Sequence, residues 1–391
     1  MNLTLDRGKL VNFVEDLLLF FTIFFSFALS IFEKINIPIV IYYIIWLLVF
    51  FLCLTINRKK IKSPYFILYI CWIIIVLLNT IFFNIEKMGN VLVYYLLICV
   101  SFFWTGILVD FNKHIKFIYC ISIIYVVFLF AYVSNVYTNL NTVETQNINY
   151  MGFAYYAVVP IMFCIYYYTK KKNIFHFLVI LIGILYLLMC GTRGPLLCIA
   201  GFLVYLFILD LKNISKRKLI LISLLLIALI IILCNIKNIA EFLQPIFVKN
   251  HLSTRILDYF IADNSTINTS GRGNLYYKII ENINKHPILG SGLYSDREII
   301  GVYSHNIFLE MINAFGIPIG SILLISIITL IVAAFRLANN EERYLISIYF
   351  CASIIRLFFS YSFMEDVNFY ILIGLCSRCI YERKALSSHN K

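Results

Sequence analysis

The chain has 391 residues, 62% of them hydrophobic and only 13% charged, with a mean hydropathy of +0.90. A soluble domain must cover its surface with polar groups, so this composition excludes one and sets the class as a polytopic membrane protein. The net charge of +12 does not indicate nucleic acid, because Lys and Arg lie in short clusters between apolar runs rather than along one stripe.

A membrane-crossing helix needs about 20 mostly apolar residues. The sequence therefore reads as an all-α protein of about twelve transmembrane helices. They are placed near 17–32, 37–56, 65–83, 91–109, 115–133, 150–168, 174–190, 195–211, 219–236, 317–337, 344–361 and 368–380. The first apolar run has no small-residue cleavage pattern and is expected to be a retained span. Spans one to nine occupy 1–236. Residues 237–304 form a large loop with short amphipathic helices between spans nine and ten, and 305–391 hold spans ten to twelve and a tail. The termini and even-numbered connections carry 21 Lys and Arg, whereas the opposite short connections carry only Lys34, Lys87 and Arg193. This bias predicts cytoplasmic termini and puts the 237–316 interval and Gly191 to Gly194 on the outer face. All eleven cysteines fall in or beside apolar runs, which argues against a disulfide framework. Cys376-Ser-Arg-Cys379 lacks the second pair or nearby histidines that a metal site needs.

The long polar interval carries helical patterning of its own. Glu241 to Phe247 and His251 to Ile261 alternate at helical spacing, and Leu275, Ile279, Ile280 and Ile283 mark one face of a helix that Ser270 is placed to cap. Pro287 ends that helix, and Gly290 and Gly292 suit a tight turn. Gly191 and Gly194 flank Thr192-Arg193 in a second turn. Ser304 is placed to cap the next helix, with His305 at its start, and Gly316-x-x-x-Gly320 opens span ten as a small-residue seam for a neighbouring helix. Arg193 departs from the positive-inside bias, and Arg272 sits near a helix N-terminus, where the helix dipole disfavours a cation. Arg356 lies inside span eleven, where an arginine has to snorkel, meet an acid or line a polar cavity. Arg356, Asp296, Arg297 and Asn306 are further candidates for contacting the substrate.

Many spans, Gly-Thr-Arg-Gly at 191–194, a large loop, Ser-Gly-Arg at 270–272, His-Pro-Ile-Leu-Gly-Ser-Gly at 286–292 and His305-Asn306 entering a Gly-rich span occur in that order. This arrangement resembles the O-antigen ligase and polymerase family of bacterial surface-polysaccharide assembly. The resemblance implies transfer of glycan from an undecaprenyl diphosphate carrier to an acceptor hydroxyl at the outer face of the plasma membrane. It also implies that Arg193 and Arg272 contact the carrier diphosphate and that His305 is the base. Possible associates are a flippase and a chain-length regulator, and no nucleic acid is involved.

The chemistry fits these residue types. A sugar–diphosphate bond releases a leaving group already stable as an anion, so it requires cations more than a general acid. Arginine forks bind phosphate oxygens at two points and stay charged. The attacking hydroxyl must lose a proton, and imidazole, with a reference pKa near 6.5, is matched to that task. In-line attack opposite the diphosphate inverts the anomeric carbon, and neither a metal nor a cofactor is required. The chain has no phosphate-binding glycine loop, which argues against a nucleotide-sugar donor. The leading reading is a polymerase of carrier-linked repeat units for capsule, exopolysaccharide or O-antigen. Alternatives are a ligase with a different acceptor, a flippase or other transporter, and a cell-shape peptidoglycan polymerase relying on an acidic loop residue.

Overall fold

The structure, a computed structural model, describes residues 7–34, 38–83, 85–138, 150–210, 235–249, 258, 261 and 272–389. Among the described residues every regular element is helical. Five of the helices are long and apolar enough to cross a membrane. The expected ninth span and the stretch around His251 fall almost wholly outside the described residues, as does Ser270. The chain divides into two compact units, one built from 1–118 and 269–391, the other from 119–268.

The first unit opens with α1 (Arg7–Lys34), α2 (Ile39–Ile56), α3 (Ser63–Phe83) and α4 (Ile85–Leu108). Helix α2 follows Pro38 and contains no charged residue. It buries Tyr42, Trp46, Phe50 and Cys53 in one stripe and exposes Val40, Ile41, Ile44, Leu48 and Phe51 on the other side. A helix that is apolar on its exposed face as well suits lipid rather than water. Tyr42 donates to the Phe21 carbonyl of α1 at 2.9 Å, and Trp46 stacks on Phe102 of α4 with ring centres 4.6 Å apart. At the N-terminal end of α1, His114 bonds Asp16 at 2.6 Å and Glu15 at 2.7 Å, while Lys60 reaches Glu15 at 2.8 Å. These contacts join α1 to the turns that follow α2 and α4.

The second unit holds α5 (Ile115–Thr138), α6 (Tyr150–Tyr156), α7 (Val158–Lys170), α8 (Ile174–Met189), α9 (Arg193–Asp210) and α10 (Ile236–Lys249). Helix α7 is its core, buried continuously from Val158 to Tyr166. Asn173 caps α8 by accepting from the Phe175 N–H at 3.2 Å. Tyr186 of α8 donates to the Phe153 carbonyl at 2.8 Å. Gly191 has φ +65° and turns the chain between α8 and α9. Gly194, expected in the same turn, lies within α9 instead, where a Cβ would overlap the Tyr155 hydroxyl.

The first unit resumes with α11 (Arg272–Lys285), α12 (Ser295–Ile300), α13 (Ile307–Leu337), α14 (Asn340–Phe350), α15 (Arg356–Phe359) and α16 (Val367–His389). Helices α4 and α16 meet backbone to backbone: a Cβ on Gly106 would lie 2.5 Å from the Ile371 oxygen and 2.8 Å from the Leu375 nitrogen. Small residues permit this approach between apolar helices. Helix α13 is broken at Gly316, where φ is 78° and ψ is 168°. Its first half is largely buried, whereas its second half exposes Ile317, Ile322, Ile325 and Ile328.

That break corrects the small-residue seam expected at Gly316 and Gly320. A Cβ on Gly320 would press on Met311 and Ile312, so it faces the preceding half of its own helix rather than a neighbouring one.

Candidate functional site

The site is assembled by the chain between α11 and the break in α13. Helix α11 buries Ile279 and Ile283 but leaves Ile280 46% exposed, so its inner face is narrower than its apolar pattern suggests. Pro287 cannot continue the helix, and the turn after it, carrying Gly290 at φ +75° and Gly292 at φ +90°, pairs with the broken α13. Ser291 N donates to the Asn313 carbonyl at 2.8 Å, Gly292 N to Ala314 at 3.1 Å, and Ile317 N to Pro287 at 2.8 Å. Gly316 is required here, because a side chain would overlap the Ile288 carbonyl and come within 2.9 Å of the Gly290 nitrogen.

A partly buried amide network reinforces this pairing. Asn282 donates to Ser291 Oγ at 2.7 Å and Asn313 Oδ1 at 2.8 Å, and Asn313 donates to Ser295 Oγ at 2.8 Å. Asn79 of α3 donates to the Ala314 carbonyl at 2.9 Å and accepts from Leu293 N at 2.8 Å. Asn79 was not singled out from sequence. A lone asparagine in Ile-Val-Leu-Leu-Asn-Thr-Ile was the available signal, since a polar group inside an apolar helix must find a partner.

His305 stands one residue outside α13, with φ +53°. For a side chain other than glycine this left-handed backbone costs about 1–2 kcal/mol and must be held by its neighbours. The expected Ser304 cap is corrected here, because Asn306 is the N-cap and its Oδ1 accepts from Phe308 N at 3.0 Å and Leu309 N at 3.2 Å. Ser304 turns the other way, and both its N–H and its hydroxyl donate to Asp296 Oδ2 at 2.8 Å. The Tyr303 ring packs on the imidazole with centres 4.3 Å apart. His305 Nδ1 is buried without a hydrogen-bond partner among the described residues. Burial, followed by the Arg272 guanidinium, pushes the His305 pKa down to about 4, while Asp296 acts in the opposite direction. The imidazole is therefore neutral at pH 7 and holds a lone pair able to accept a proton.

Beside it lies a dense group of charges. Arg297 meets Asp296 at 3.0 Å, Glu365 at 3.0 Å and Glu310 at 3.7 Å, with its guanidinium 4.7 Å from the Tyr294 ring centre. Glu310 also accepts from the Ser362 hydroxyl and, at 3.1 Å, from Phe363 N. Arg356 is buried, lies 3.6 Å from Asp366 and sits 3.8 Å over the Tyr361 ring. Tyr361 in turn meets Tyr303 edge to face at 5.9 Å. Thus Arg356 has both an acid partner and an aromatic face, as an arginine inside an apolar segment requires.

The first unit thus holds Arg272, Asp296, Arg297, His305, Asn306 and Arg356. Asn306 has its carbonyl oxygen engaged in capping, and the Asp296 carboxylate takes four hydrogen bonds from its own chain. Arg193 belongs to the second unit, as the exposed first residue of α9, and Gly191 and Gly194 lie beside it. Cys376 and Cys379 are buried free thiols on α16.

No curated protein matches the chain. Residues 177–325, which include Arg193, Arg272 and His305, match the family model described as O-antigen ligase.

Proposed function

We propose that this protein is a membrane glycosyltransferase that polymerises oligosaccharide repeat units carried on undecaprenyl diphosphate, at the outer face of the plasma membrane with both termini cytoplasmic. His305 takes the proton of the attacking sugar hydroxyl. Arg272 neutralises charge on the departing diphosphate, and Arg193 supplies a further guanidinium to it. Attack is in-line and inverts the anomeric carbon, so the bond from that carbon to the carrier oxygen breaks as the new glycosidic bond forms. The observation that carries this reading is a half-buried imidazole on a left-handed backbone, its buried Nδ1 without a hydrogen-bond partner among the described residues, within a stretch that matches the O-antigen ligase family model. A positioned base contributes about 10²- to 10⁴-fold to such a step.

A second reading is a ligase that passes the glycan to a different acceptor, and the matched family model does not distinguish the two. Both share the same proton transfer and leaving group and differ only in the acceptor. The test uses purified full-length protein in lipid nanodiscs with a carrier-linked repeat unit. Ladders of product from this substrate alone support polymerisation, whereas product only after addition of a lipid-anchored core acceptor supports ligation. His305→Ala is expected to lose about 10²-fold or more in rate, and Arg193→Ala and Arg272→Ala to weaken donor turnover. Wild-type turnover by His305→Ala would refute both readings.

A further inference from the structure

Asp296 has the composition of a sugar-binding carboxylate but not the geometry of one. It lies in the first turn of α12 and is 2% exposed. Oδ1 accepts from Arg297 N at 2.9 Å and Arg297 Nη1 at 3.0 Å, and Oδ2 accepts from Ser304 N and Oγ, both at 2.8 Å. A carboxylate offers about four lone-pair positions, so these donors occupy all of them and leave none for a substrate hydroxyl.

Two of the four bonds end on Ser304, which is fully buried and directly precedes the left-handed His305. On the other side Asn306 is fixed by its cap bonds to Phe308 and Leu309. The backbone at 305 is therefore pinned at both flanking residues, by Asp296 before it and by the cap after it. We propose that Asp296 is a positioning residue: through Ser304 its carboxylate sets the turn that aims the His305 imidazole, and it touches neither donor nor acceptor. This inference rests on His305 being the base. The charged and titratable groups about the imidazole are Arg272 from α11, Asp296 from α12 and Tyr303 from the connecting turn, with Arg356 and Tyr361 reaching it through Tyr303.

The test compares Asp296→Asn, Ser304→Ala and the double variant as full-length proteins in nanodiscs, with the carrier-linked repeat unit as substrate. Asp296→Asn is expected to lower kcat by about 10- to 100-fold while KM stays within about twofold, because aim is lost and binding is not. Ser304→Ala removes one of the two bonds and is expected to lower kcat by about 3- to 10-fold, and the double variant to be no worse than Asp296→Asn, as for groups acting in series. The acid limb of the rate profile is expected to move to lower pH in Asp296→Asn, which loses a negative charge near the imidazole, and to stay in place in Ser304→Ala. A loss through general destabilisation would lower the yield of active protein without moving that limb. A raised KM with kcat retained, or a wild-type kcat in Asp296→Asn, overturns the assignment. If Asp296→Asn does not accumulate, Ser304→Ala decides alone, and an unchanged kcat there overturns it. Full activity in His305→Ala defeats the base reading itself, whereas an inactive His305→Ala beside a fully active Asp296→Asn defeats only this inference.

Discussion

Gly316→Ala is the substitution whose consequence the structure defines most sharply, and Gly301→Ala is its internal control. The two glycines share nearly the same φ, +78° and +76°, but ψ is 168° at 316 and −7° at 301. At 301 a Cβ meets nothing within 4 Å, whereas at 316 it overlaps the Ile288 carbonyl and crowds Gly290. The backbone term is about 1–2 kcal/mol at 301, in the left-handed region, and about 1–3 kcal/mol at 316, in a region populated almost only by glycine. The extra cost at 316 is the pairing that must open to admit the methyl: Ser291 to Asn313, Gly292 to Ala314 and Ile317 to Pro287. At about 1 kcal/mol net for each bond, Gly316→Ala should lose about 4–6 kcal/mol and Gly301→Ala about 1–2 kcal/mol. At about 1.2 °C per kcal/mol for a chain of this size, apparent Tm in detergent should fall by about 5–7 °C and about 1–2 °C respectively. Transfer activity should fall with the former, because the break in α13 sets the half-helix that follows His305. Equal Tm shifts in the two variants would refute the reasoning.

The His305 pKa of about 4 predicts that kcat/KM, which reports the free enzyme, keeps its acid limb near pH 4. Protonation removes the base, so activity falls as pH drops through that value. Arg272→Gln should move the limb upward by relieving one of the causes that depress it, and an unmoved limb would count against a coupling between these two side chains. Arg356→Met should cost about 3–5 kcal/mol by leaving Asp366 buried beside an apolar side chain, and a double variant with Asp366→Asn, which drops the charge but keeps an oxygen for the Asn368 and Phe369 N–H groups, should recover much of the loss in apparent Tm. Failure of the second change to restore stability would show that the ion pair is not the cause. At His114, burial lowers the pKa but the hydrogen bonds that its ring donates to Glu15 and Asp16 outweigh it, so the folded value is raised. Its contribution is complete below about pH 6.5 and is lost as pH rises through the folded value. The Tm advantage of wild type over His114→Gln should therefore shrink between pH 6 and pH 9, and an advantage that grows over that range would contradict the assignment.

Much of the helical framework was legible because each element is written locally. The uncharged runs of α2 and α3 bury one stripe and expose apolar residues on the rest, which composition alone expresses. Pro287 as a helix stop, Gly290 and Gly292 as turn residues and His305 at a helix entrance are equally local, since each depends on the backbone preference of one or two residues. Arg356 could be read as needing a partner from its position in an apolar segment.

What only the tertiary structure decided concerns groups far apart in the chain. Asn79 bonds residues 214 and 235 positions away, and nothing near it in sequence names those partners. Ser304 and Asn306 are both good caps by residue type. The choice between them was made by Asp296, which takes both Ser304 donors eight residues away and leaves the cap to Asn306. Gly316 reads as a seam glycine until the loop at Ile288 is folded against it. The sequence by itself determined the membrane class and the local chain directions, because apolar burial and backbone preference act residue by residue. The aim of the imidazole and the commitment of each buried carboxylate were settled only on folding, because hydrogen bonds are directional and a buried polar group takes whichever partner the packing brings within reach.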